Sequence, residues 1–558
     1  MSSKHPGEIA YVIPPLRKGE ELLTLTLSVC PYCYRSLPAL IVEREGKVYI
    51  RRTCPEHGTV EELYYGDVEF YKRVMKFSEE GRGSRHVYTE AKVACPFNCG
   101  LCTMHKQHSA LINLVVTNRC DLSCWYCFFY AEAAGYVYEP TLEQIREMIR
   151  SVKKQGVTVA VQLTGGEPLL REDLVDIVKI LREEGVRHIQ LNTNGLKFAR
   201  LYLSDPVKAV EYARSLRSAG LNTVYLSFDG VTPKTNPKNH WEVPFIFEVF
   251  RQAGITSVVL VPTVIKDVNT HELGAIIRFA ARNIDIVRAV NFQPVSLTGY
   301  MKKREREKYR ITIPDVAKLI EEQTDGEIPR DAWFPVNAST VFSRFIEGFS
   351  GEFKFEMANH PACGVGTYVY VDKSGDRVRL IPITSFIDVE GLLEYLREKW
   401  IELVEGSSRI LAGLKLLYTI RKFIDTSKAP KEFDIYKLII NVVLKRSYEA
   451  LGELHYKLLF IGQMHFMDLY NYDVQRVQRC NIHYAVPDGR LIPFCAFNIF
   501  EDIYRDKIQK SYGVPVEEYV SKYKLPREKL LEKHVRDIKL MESSSIYKKT
   551  YEGFIETR

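Results

Sequence analysis

The cysteines of this chain are grouped at short spacings, and two of the groups share one spacing. Six of the 12 cysteines fall between residues 95 and 127. They form two triplets of the pattern C-x3-C-x2-C, namely Cys95, Cys99, Cys102 and Cys120, Cys124, Cys127. Three thiolates can hold a [4Fe-4S] cluster by three of its irons, which leaves the fourth iron open to another ligand. The spacing therefore predicts iron–sulfur chemistry at these positions.

The residues around the second triplet distinguish it from the first. The run "ALINLVVTN" before Cys120 is apolar and β-branched and ends in a polar turn, which predicts a buried strand that leads into a loop. Ligands on that loop would lie at the C-terminal end of a strand, where β/α barrels place their active sites. The run "EAKVA" before Cys95 is a poorer strand, and Leu101 stands where the second triplet has the aromatic Tyr126. We therefore expect the reactive cluster at the second triplet and an auxiliary cluster at the first.

The open iron of such a cluster suits one reaction in particular. It can bind the amino and carboxylate groups of S-adenosylmethionine, and an electron from the cluster then breaks a carbon–sulfur bond. The product is a 5′-deoxyadenosyl radical.

The chain after Cys127 alternates strand and helix patterns. Strands are predicted in "VTVAVQLTGGEP", "IQLNTNG", "TVYLSFDG", "SVVLVPTV" and "VRAVNFQPV", with helices such as "TLEQIREMIRSVKKQG" between them. This alternation predicts an α/β fold, a partial (β/α)6 barrel with six parallel strands. Polar or turn residues end the strands, and we expect the following to bind S-adenosylmethionine together with Tyr126: Gly165, Gly166, Glu167, Pro168, Asn192, Thr193, Asn194, Ser227 and Asp229.

Three roles are predicted within that set. The glycines would expose backbone groups to the methionine amino group, Glu167 would add a carboxylate, and Asn194 or Ser227 would reach the ribose hydroxyls. With "CDLSCWYC", "GGEP", "NTNG" and "SFDG", residues 111 to about 298 resemble the radical S-adenosylmethionine (radical SAM) superfamily. The alternative of another class is a non-catalytic, ferredoxin-like electron carrier.

Cysteines near the N-terminus predict a separate metal site. "CPYC" and "CPEH" are two knuckles that hold Cys30, Cys33, Cys54 and His57, and a hairpin with an E-G turn joins them. Two knuckles on a hairpin make a tetrahedral mononuclear site for zinc or a rubredoxin-type iron. The alternative for His57 is a turn histidine, with a cysteine of the 95–102 group as the fourth ligand.

The last three cysteines, Cys363, Cys480 and Cys495, flank two similar hairpins. "CNIHYAVPDGRLIPFC" predicts two strands about a P-D-G turn, and "CGVGTYVYVDKSGDRVRLIPI" is a degenerate copy of it. Such hairpins resemble the auxiliary-cluster modules behind many radical SAM barrels. The 12 cysteines then form four groups of three, which predicts three iron–sulfur clusters and one mononuclear metal. Each site that has only three cysteines still needs one more ligand.

Bulk properties set further limits. The chain has 558 residues and a net charge of +7, which is too mild to indicate nucleic-acid binding. Its N-terminus lacks the apolar core of a signal peptide, so we expect a cytoplasmic protein.

Four parts are predicted: a metal-knuckle domain (1–110), the barrel (111–298), a mainly helical substrate region (299–475), and an auxiliary-cluster hairpin with a charged tail (476–558). Basic amphipathic stretches such as "RILAGLKLLYTIRKFI" suit a membrane surface, a tunnel for an apolar ligand or plain packing on the barrel.

The combined motifs resemble one archaeal family, tetraether lipid synthase. The resemblance rests on "CPYC", "CPEHG", "CPFNCGLCTMHKQH", "TNRCDLSCWYCF", "TGGEP" and "CNIHYAVPDGRLIPFCAFN". It implies archaeal isoprenoid diether phospholipids as substrates, carbon–carbon coupling of their chain ends after hydrogen abstraction, and a reductant such as a ferredoxin. The alternative enzyme is a radical SAM maturase that modifies a peptide.

Overall fold

The computed structural model describes most of the chain. The described residues are 4–127, 129, 134–157, 159–299, 305–352, 355–374, 378–431, 456–524, 526–530 and 532–555. The apolar run "IYKLIINVVLKRSYEALGELHYKLLFIGQMHFMDLY", which belongs to the predicted mainly helical region, lies largely outside them. Among the described helices, none has the length and apolar character needed to cross a bilayer.

Residues 21–65, all of them described, form an antiparallel sheet in the order β1-β2-β3-β4. Its strands are β1 (Glu21–Val29), β2 (Ser36–Arg44), β3 (Lys47–Cys54) and β4 (Gly58–Tyr65). The predicted hairpin turn lies at Glu45 and Gly46, whose φ angles are 54° and 75°. Positive φ at both central residues matches the twist of a two-residue hairpin. The other two turns carry the cysteine knuckles, and helix α1 (Val68–Met75) follows β4.

A large mixed sheet forms the centre of the molecule. Its strands up to residue 294 are β5 (Leu111–Thr117), β7 (Ala160–Gly165), β8 (His188–Thr193), β9 (Thr223–Ser227), β10 (Val258–Val261), β11 (Thr263–Val264) and β12 (Val287–Pro294), whereas β6 (Tyr136–Val137) lies outside this sheet. Strands β5, β7, β8, β9, β10 and β12 are neighbours in that order and all run parallel. The predicted six-strand series is therefore confirmed.

Helices connect these strands, as the alternating pattern predicts. They are α2 (Leu142–Lys153), α3 (Leu174–Glu183), α4 (Leu196–Ser204), α5 (Pro206–Ala219), α6 (Val243–Ala253) and α7 (Leu273–Arg282). Helix α2 begins with a capping box in which Thr141 and Gln144 exchange side-chain and backbone hydrogen bonds. Each helix turns an apolar face inward, so the strands are covered and can be apolar on both sides.

Strands from the second half of the chain extend the sheet at both ends. They are β13 (Phe334–Pro335), β14 (Gly364–Asp372), β15 (Arg379–Pro382), β16 (Leu458–Met464), β17 (Ile482–Ala485) and β18 (Leu491–Pro493). At one end the order continues from β12 to β16, β14 and β13, and at the other from β5 to β17 and β18. Both predicted hairpins are present, as β14–β15 and β17–β18.

Besides its predicted hairpin, the mainly helical region 299–475 contributes the further strands β13 and β16 to the central sheet. Its helices are α8 (Arg306–Tyr309), α9 (Ile313–Gln323), α10 (Ser339–Ser350), α11 (Val389–Val404), α12 (Arg409–Thr419) and α13 (Val474–Gln478). However, β16 pairs in parallel with β12, with Ala289 opposite Phe460. The run "LLFIGQM" is short and apolar, and periodicity alone does not distinguish such a strand from a buried helix.

The chain ends in short helices. They are α14 (Phe494–Ile499), α15 (Arg505–Tyr512), α16 (Val516–Tyr523), α17 (Arg527–Leu530), α18 (Ile538–Ser543) and α19 (Ser545–Tyr551), and β19 (Val514–Pro515) pairs with β6. Residues 533–536, between α17 and α18, contact the loop that follows β5.

Candidate active site and metal centres

The N-terminal sheet brings four metal-ligating side chains together. Candidate ligand atoms of Cys30, Cys33, Cys54 and His57 all lie within 4.8 Å of one another. His57 Nδ1 is 3.6 Å from Cys30 Sγ and 3.5 Å from Cys54 Sγ. Burial alone raises the pKa of Cys54, but hydrogen bonds from His57 and the backbone lower it to about 7. Three thiols and one imidazole at this spacing fit a single tetrahedral ion, with His57 as a ligand rather than a turn residue.

The second cysteine triplet lies on the loop that follows β5. Cys127 N donates to Cys124 O at 3.1 Å, and the three side chains are half-buried. Burial raises the pKa of Cys124 to about 11. Thiols in such surroundings stay protonated unless a metal supplies positive charge, which fits the donor set of an iron–sulfur cluster.

Two predicted glycines hold this loop against the end of β7. A Cβ on Gly165 would lie 2.0 Å from Thr117 O, and a Cβ on Gly166 would lie 2.0 Å from Arg119 O. Gly166 N donates to Thr117 O at 2.8 Å, and Glu167 N donates to Arg119 O at 2.7 Å. These N–H groups therefore bind the cysteine loop itself. Both positions require glycine because the backbone at the end of β7 lies so close to the backbone of the cysteine loop.

A buried carboxylate pair lies beside the loop. Glu167 accepts from Thr193 Oγ1 at 2.6 Å and from Asn194 N at 2.7 Å, and Asn194 Nδ2 donates to Asp121 Oδ1 at 2.8 Å. Burial and the charge of Asp121 raise the pKa of Glu167 to about 8. Asp121 Oδ2 is buried and has no hydrogen-bond partner among the described residues. An open buried carboxylate oxygen fits a cationic group, such as the amino group of S-adenosylmethionine.

The remaining predicted cofactor residues have polar partners within the barrel. Pro168 opens a 3-10 turn, Asn192 Nδ2 donates to Thr164 Oγ1 at 3.3 Å, and Ser227 O accepts from Asn239 Nδ2 at 2.8 Å. Across the strand ends, Tyr126 donates its hydroxyl proton to Asp229. Lys238 Nζ also reaches Asp229 Oδ2 at 2.8 Å. Lys238 is a buried cation close to Cys124 and Cys127 that the sequence reasoning missed.

A segment near the C-terminus crosses the same edge of the barrel, and it too was not predicted. We call residues 533–536 the C-terminal strap. Lys533 Nζ donates to Cys120 O at 2.8 Å and to Leu122 O at 3.3 Å, and His534 N donates to Asp121 O at 2.9 Å. His534 and Arg536 both contact Glu242 Oε1 at 2.7 Å. Its basic residues give only a weak sequence signal, since "EKHVR" also suits a solvated tail.

The first triplet forms a separate group, as predicted. Cys95, Cys99 and Cys102 line one small cavity together with His105. Cys99 N donates to the hydroxyl of Tyr504 at 3.0 Å.

The C-terminal cysteines line a cavity with a volume of about 1350 Å³. Cys363 precedes β14 near one end of the strand order, and Cys480 and Cys495 flank the β17–β18 hairpin at the other end. Because one cavity touches all three, the sheet curves around it and brings its two ends together. Arg476, which is buried, donates from Nε to Cys363 Sγ at 3.2 Å. The structure thus groups these three cysteines across 132 residues of sequence.

The cavity has two different walls. The barrel wall carries amide and hydroxyl groups from Gln190, Asn291, Thr367 and Gln463. The opposite wall is apolar, with side chains that come mainly from β13, α10 and α11, among them Phe334, Phe342, Val389, Leu392 and Leu393. A bound molecule would meet a polar face on one side and an apolar face on the other.

Comparison with known proteins agrees with this arrangement. A family model described as the radical SAM superfamily matches residues 114–280, and one described as the HMPTM N-terminal zinc ribbon domain matches residues 22–66. The chain belongs to the radical SAM superfamily. It therefore uses a [4Fe-4S] cluster and S-adenosylmethionine, and the ribbon fits the additional metal.

One relative covers nearly the whole chain. The chain is 44% identical over 509 residues to the 7,8-dihydro-6-hydroxymethylpterin dimethyltransferase of Methanocaldococcus jannaschii, which is 90% of this chain and 97% of that protein. Identity over that length places the two proteins in one family. A probable GTP 3′,8-cyclase of the same organism is 27% identical over 45% of this chain and 78% of its own length. The solved structure of anSMEcpe with bound AdoMet covers 58% of this chain and 87% of that chain, with 14% identity and a TM-score of 0.31.

These findings correct the family predicted from the sequence motifs. The prediction of a radical SAM enzyme with its cofactors is supported. The relative that matches over 90% of this chain, however, is a pterin dimethyltransferase and not a tetraether lipid synthase. The motifs led to the wrong family because cysteine groups and strand-end loops specify the radical chemistry and not the substrate.

Proposed function

We propose that the protein methylates a pterin by radical SAM chemistry: one S-adenosylmethionine gives the 5′-deoxyadenosyl radical that takes a hydrogen atom from the pterin, a second gives the methyl group and leaves as S-adenosylhomocysteine, and each of the two steps consumes one electron. The observation that carries this proposal is the identity of 44% to a 7,8-dihydro-6-hydroxymethylpterin dimethyltransferase over 97% of its length. A match over 90% of this chain extends well beyond the radical SAM region of residues 114–280. The electrons would come from a reductant such as a ferredoxin.

The barrel wall of the cavity supports a pterin as the substrate. Pterins carry amide-like and amino groups in the plane of a flat ring, so they need donors and acceptors at fixed positions. Gln190 Oε1, Thr367 Oγ1 and both side-chain polar atoms of Gln463 are buried and have no hydrogen-bond partner among the described residues. Leaving buried polar groups without partners costs roughly 1–3 kcal/mol each, which a polar ligand would recover.

Each group of residues has a distinct part in this reaction. Cys120, Cys124 and Cys127 would hold the cluster that, with S-adenosylmethionine bound, supplies one-electron cleavage and a carbon radical. Asp121 would bind the amino group of S-adenosylmethionine. The C-terminal strap holds the cysteine loop through its backbone carbonyls.

A second candidate is the coupling of isoprenoid chains, and the apolar wall of the cavity favours it. The volume of about 1350 Å³ exceeds the usual range of roughly 300–1,000 Å³ for small-molecule sites. Phe334, Phe342 and Leu392 on the apolar wall would suit a hydrocarbon chain better than a polar ring.

One experiment distinguishes the two candidates. Reconstituted protein is incubated anaerobically with S-adenosylmethionine, reductant and 7,8-dihydro-6-hydroxymethylpterin, and mass spectrometry looks for the mass of one or two added methyl groups. In parallel, the protein is expressed in a host that makes only diether lipids, and the lipids are analysed. Methylated pterin with unchanged lipids supports the first candidate, and tetraethers or macrocyclic diethers without methylated pterin overturn it.

Paired variants sharpen that test. Gln463→Leu removes polar groups from the barrel wall, and Leu392→Gln adds one to the apolar wall. For a pterin, Gln463→Leu should weaken substrate binding about tenfold or more, since hydrogen bonds to buried polar groups are lost. For a hydrocarbon chain, Leu392→Gln should have the larger effect, and 5′-deoxyadenosine formation without substrate should persist in both variants.

A further inference from the structure

The strand register places a histidine beside the first cysteine of the cavity group. Strands β14 and β16 are antiparallel with Gly364 opposite Met464, so Cys363 and His465 are the next residues along. His465 N donates to Cys363 O at 2.9 Å, one hydrogen bond beyond the last strand pair, while Cys363 N donates to His360 O at 2.9 Å in a 3-10 turn. The backbones of His465 and Cys363 are therefore adjacent, and both residues line the same cavity.

The imidazole of His465 is buried without a partner for one of its nitrogens. The residue is 1% exposed, and Nε2 has no hydrogen-bond partner among the described residues. His465 lines the same cavity as Cys363, Cys480 and Cys495. The cation Arg476 lies beside it and donates to His465 O at 2.6 Å. An unpartnered buried nitrogen that lines one cavity with three thiols is a candidate metal ligand.

The spacing of these four side chains favours a cluster over a single ion. Among the described residues, the ribbon set is the one His, Cys and carboxylate group whose ligand atoms all lie within the 4.8 Å expected for one ion. A [4Fe-4S] cluster accepts one ligand at each of its irons, so its four ligands stand farther apart. The cavity group lines one cavity without forming such a compact single-ion set, and Arg476 would offset the negative charge of its thiolates.

We propose that His465 Nε2 is the fourth protein ligand of an iron–sulfur cluster held by Cys363, Cys480 and Cys495. This cluster would form part of the cavity wall, within reach of a bound substrate. Replacing one thiolate by a neutral imidazole makes the cluster less negative and raises its reduction potential, as histidine ligands do in other iron–sulfur centres. The proposal does not depend on whether the substrate is a pterin or a hydrocarbon chain.

The test measures the ligand directly and needs no enzyme assay. The protein is reconstituted anaerobically with zinc in the ribbon, then reduced, and pulsed electron paramagnetic resonance records nitrogen coupling to the reduced clusters. We expect the coupling of an iron-bound imidazole in the parent protein and its loss in His465→Ala. In His465→Cys the iron content should be kept while the nitrogen coupling is absent.

A second buried histidine provides the matched control. His360 lies near Arg476 and Arg479, and its Nδ1 already accepts from Ala362 N at 3.2 Å. His360→Ala should therefore leave the nitrogen coupling intact. The zinc content of the ribbon reports that each variant is folded.

Three results would overturn the proposal. The first is imidazole coupling that persists in zinc-loaded His465→Ala. The second is a parent protein that shows no such coupling. The third is an unchanged iron content in the triple variant Cys363→Ala, Cys480→Ala, Cys495→Ala.

Discussion

The ribbon site and the cavity site are built in opposite ways. The ribbon collects Cys30, Cys33, Cys54 and His57 from 28 consecutive residues on two adjoining turns. The cavity site collects its three cysteines from residues 363–495, at the two ends of a curved sheet. A local site of this kind forms once one hairpin forms, whereas the cavity site requires the complete barrel. We therefore expect the ribbon to keep its metal when residues of the barrel are substituted, and the cavity site to lose its ligand arrangement.

The two regions are nevertheless in contact. Arg52 of the ribbon donates to the carbonyls of Tyr470 at 2.5 Å and Leu469 at 2.9 Å. Tyr64 donates to Asp473 Oδ2 at 2.7 Å, just before the helix that carries Arg476. The ribbon therefore supports the segment that leads into the cavity site, and the following variants measure how far each region depends on the other.

The largest effect is expected at the radical loop. Cys124→Ala should reduce cleavage of S-adenosylmethionine to background, because the cluster loses one of its three thiolates. Production of 5′-deoxyadenosine by reduced protein measures this, and the zinc content should be unchanged. Cys99→Ala, from the triplet with identical spacing, is the control and should retain cleavage. The reverse result would exchange the roles assigned to the two triplets.

A stability effect is expected at the ribbon. Cys54→Ser should release the ribbon metal and expose the amides of β1–β4 to hydrogen exchange, because metal binding contributes directly to the folding of such small sites. Cleavage of S-adenosylmethionine should stay within about twofold of the parent, since a local site depends little on the barrel. A collapse of cleavage together with zinc loss would show that the ribbon and the barrel fold as one unit.

A smaller effect is expected at the buried carboxylate pair. Asp121→Asn should weaken binding of S-adenosylmethionine by about tenfold to a hundredfold, because hydrogen bonds to charged groups contribute roughly 1.5–3 kcal/mol. Isothermal titration with the cluster-loaded protein measures the dissociation constant. Asp176→Asn, an exposed carboxylate paired with Lys179, should have no effect. Equal affinities in both variants would remove Asp121 from the binding site.

The smallest effect is expected at the C-terminal strap. Lys533→Gln removes a cation beside the cysteine loop, so the reduction potential of the cluster should become more negative. Formation of 5′-deoxyadenosine should slow by about twofold to tenfold, the range for loss of one hydrogen bond. Redox titration monitored by electron paramagnetic resonance measures the potential. The exposed Lys539→Gln is the control, and equal shifts in both variants would mean that net charge alone is responsible.

The sequence predicts those parts of the structure that depend on neighbouring residues. The knuckles, the turn at Glu45 and Gly46 and the two late hairpins follow from spacing and turn residues, and the six barrel strands follow from the alternation of apolar runs with amphipathic helices. The grouping of Cys363 with Cys480 and Cys495 was inferred by counting cysteines, and the cavity supports it.

Other features depend on pairing between distant segments, which no local pattern encodes. Strand β16 was predicted within a helical region because a short apolar run fits either element. The approach of His465 to Cys363 follows from the pairing of β14 with β16, and that of Lys533 to Cys120 from the course of the C-terminal strap. The family of the full-length relative was also missed, and the polar groups of the cavity wall come from residues scattered between 190 and 463.

The contact between Lys533 and the loop at Cys120 also sets an order of events during protein synthesis. Domains near the N-terminus can fold while the rest of the chain is still being translated. The ribbon is complete once residue 66 has left the ribosome, so it can take up its ion from a nascent chain. The cysteine loop gains its last support only when residues 533–536 emerge, about 400 residues after the loop itself. We therefore expect cluster-assembly factors to act on the radical site after translation ends, and a ribosome-stalled chain that stops at residue 530 to contain zinc but little iron at Cys120, Cys124 and Cys127.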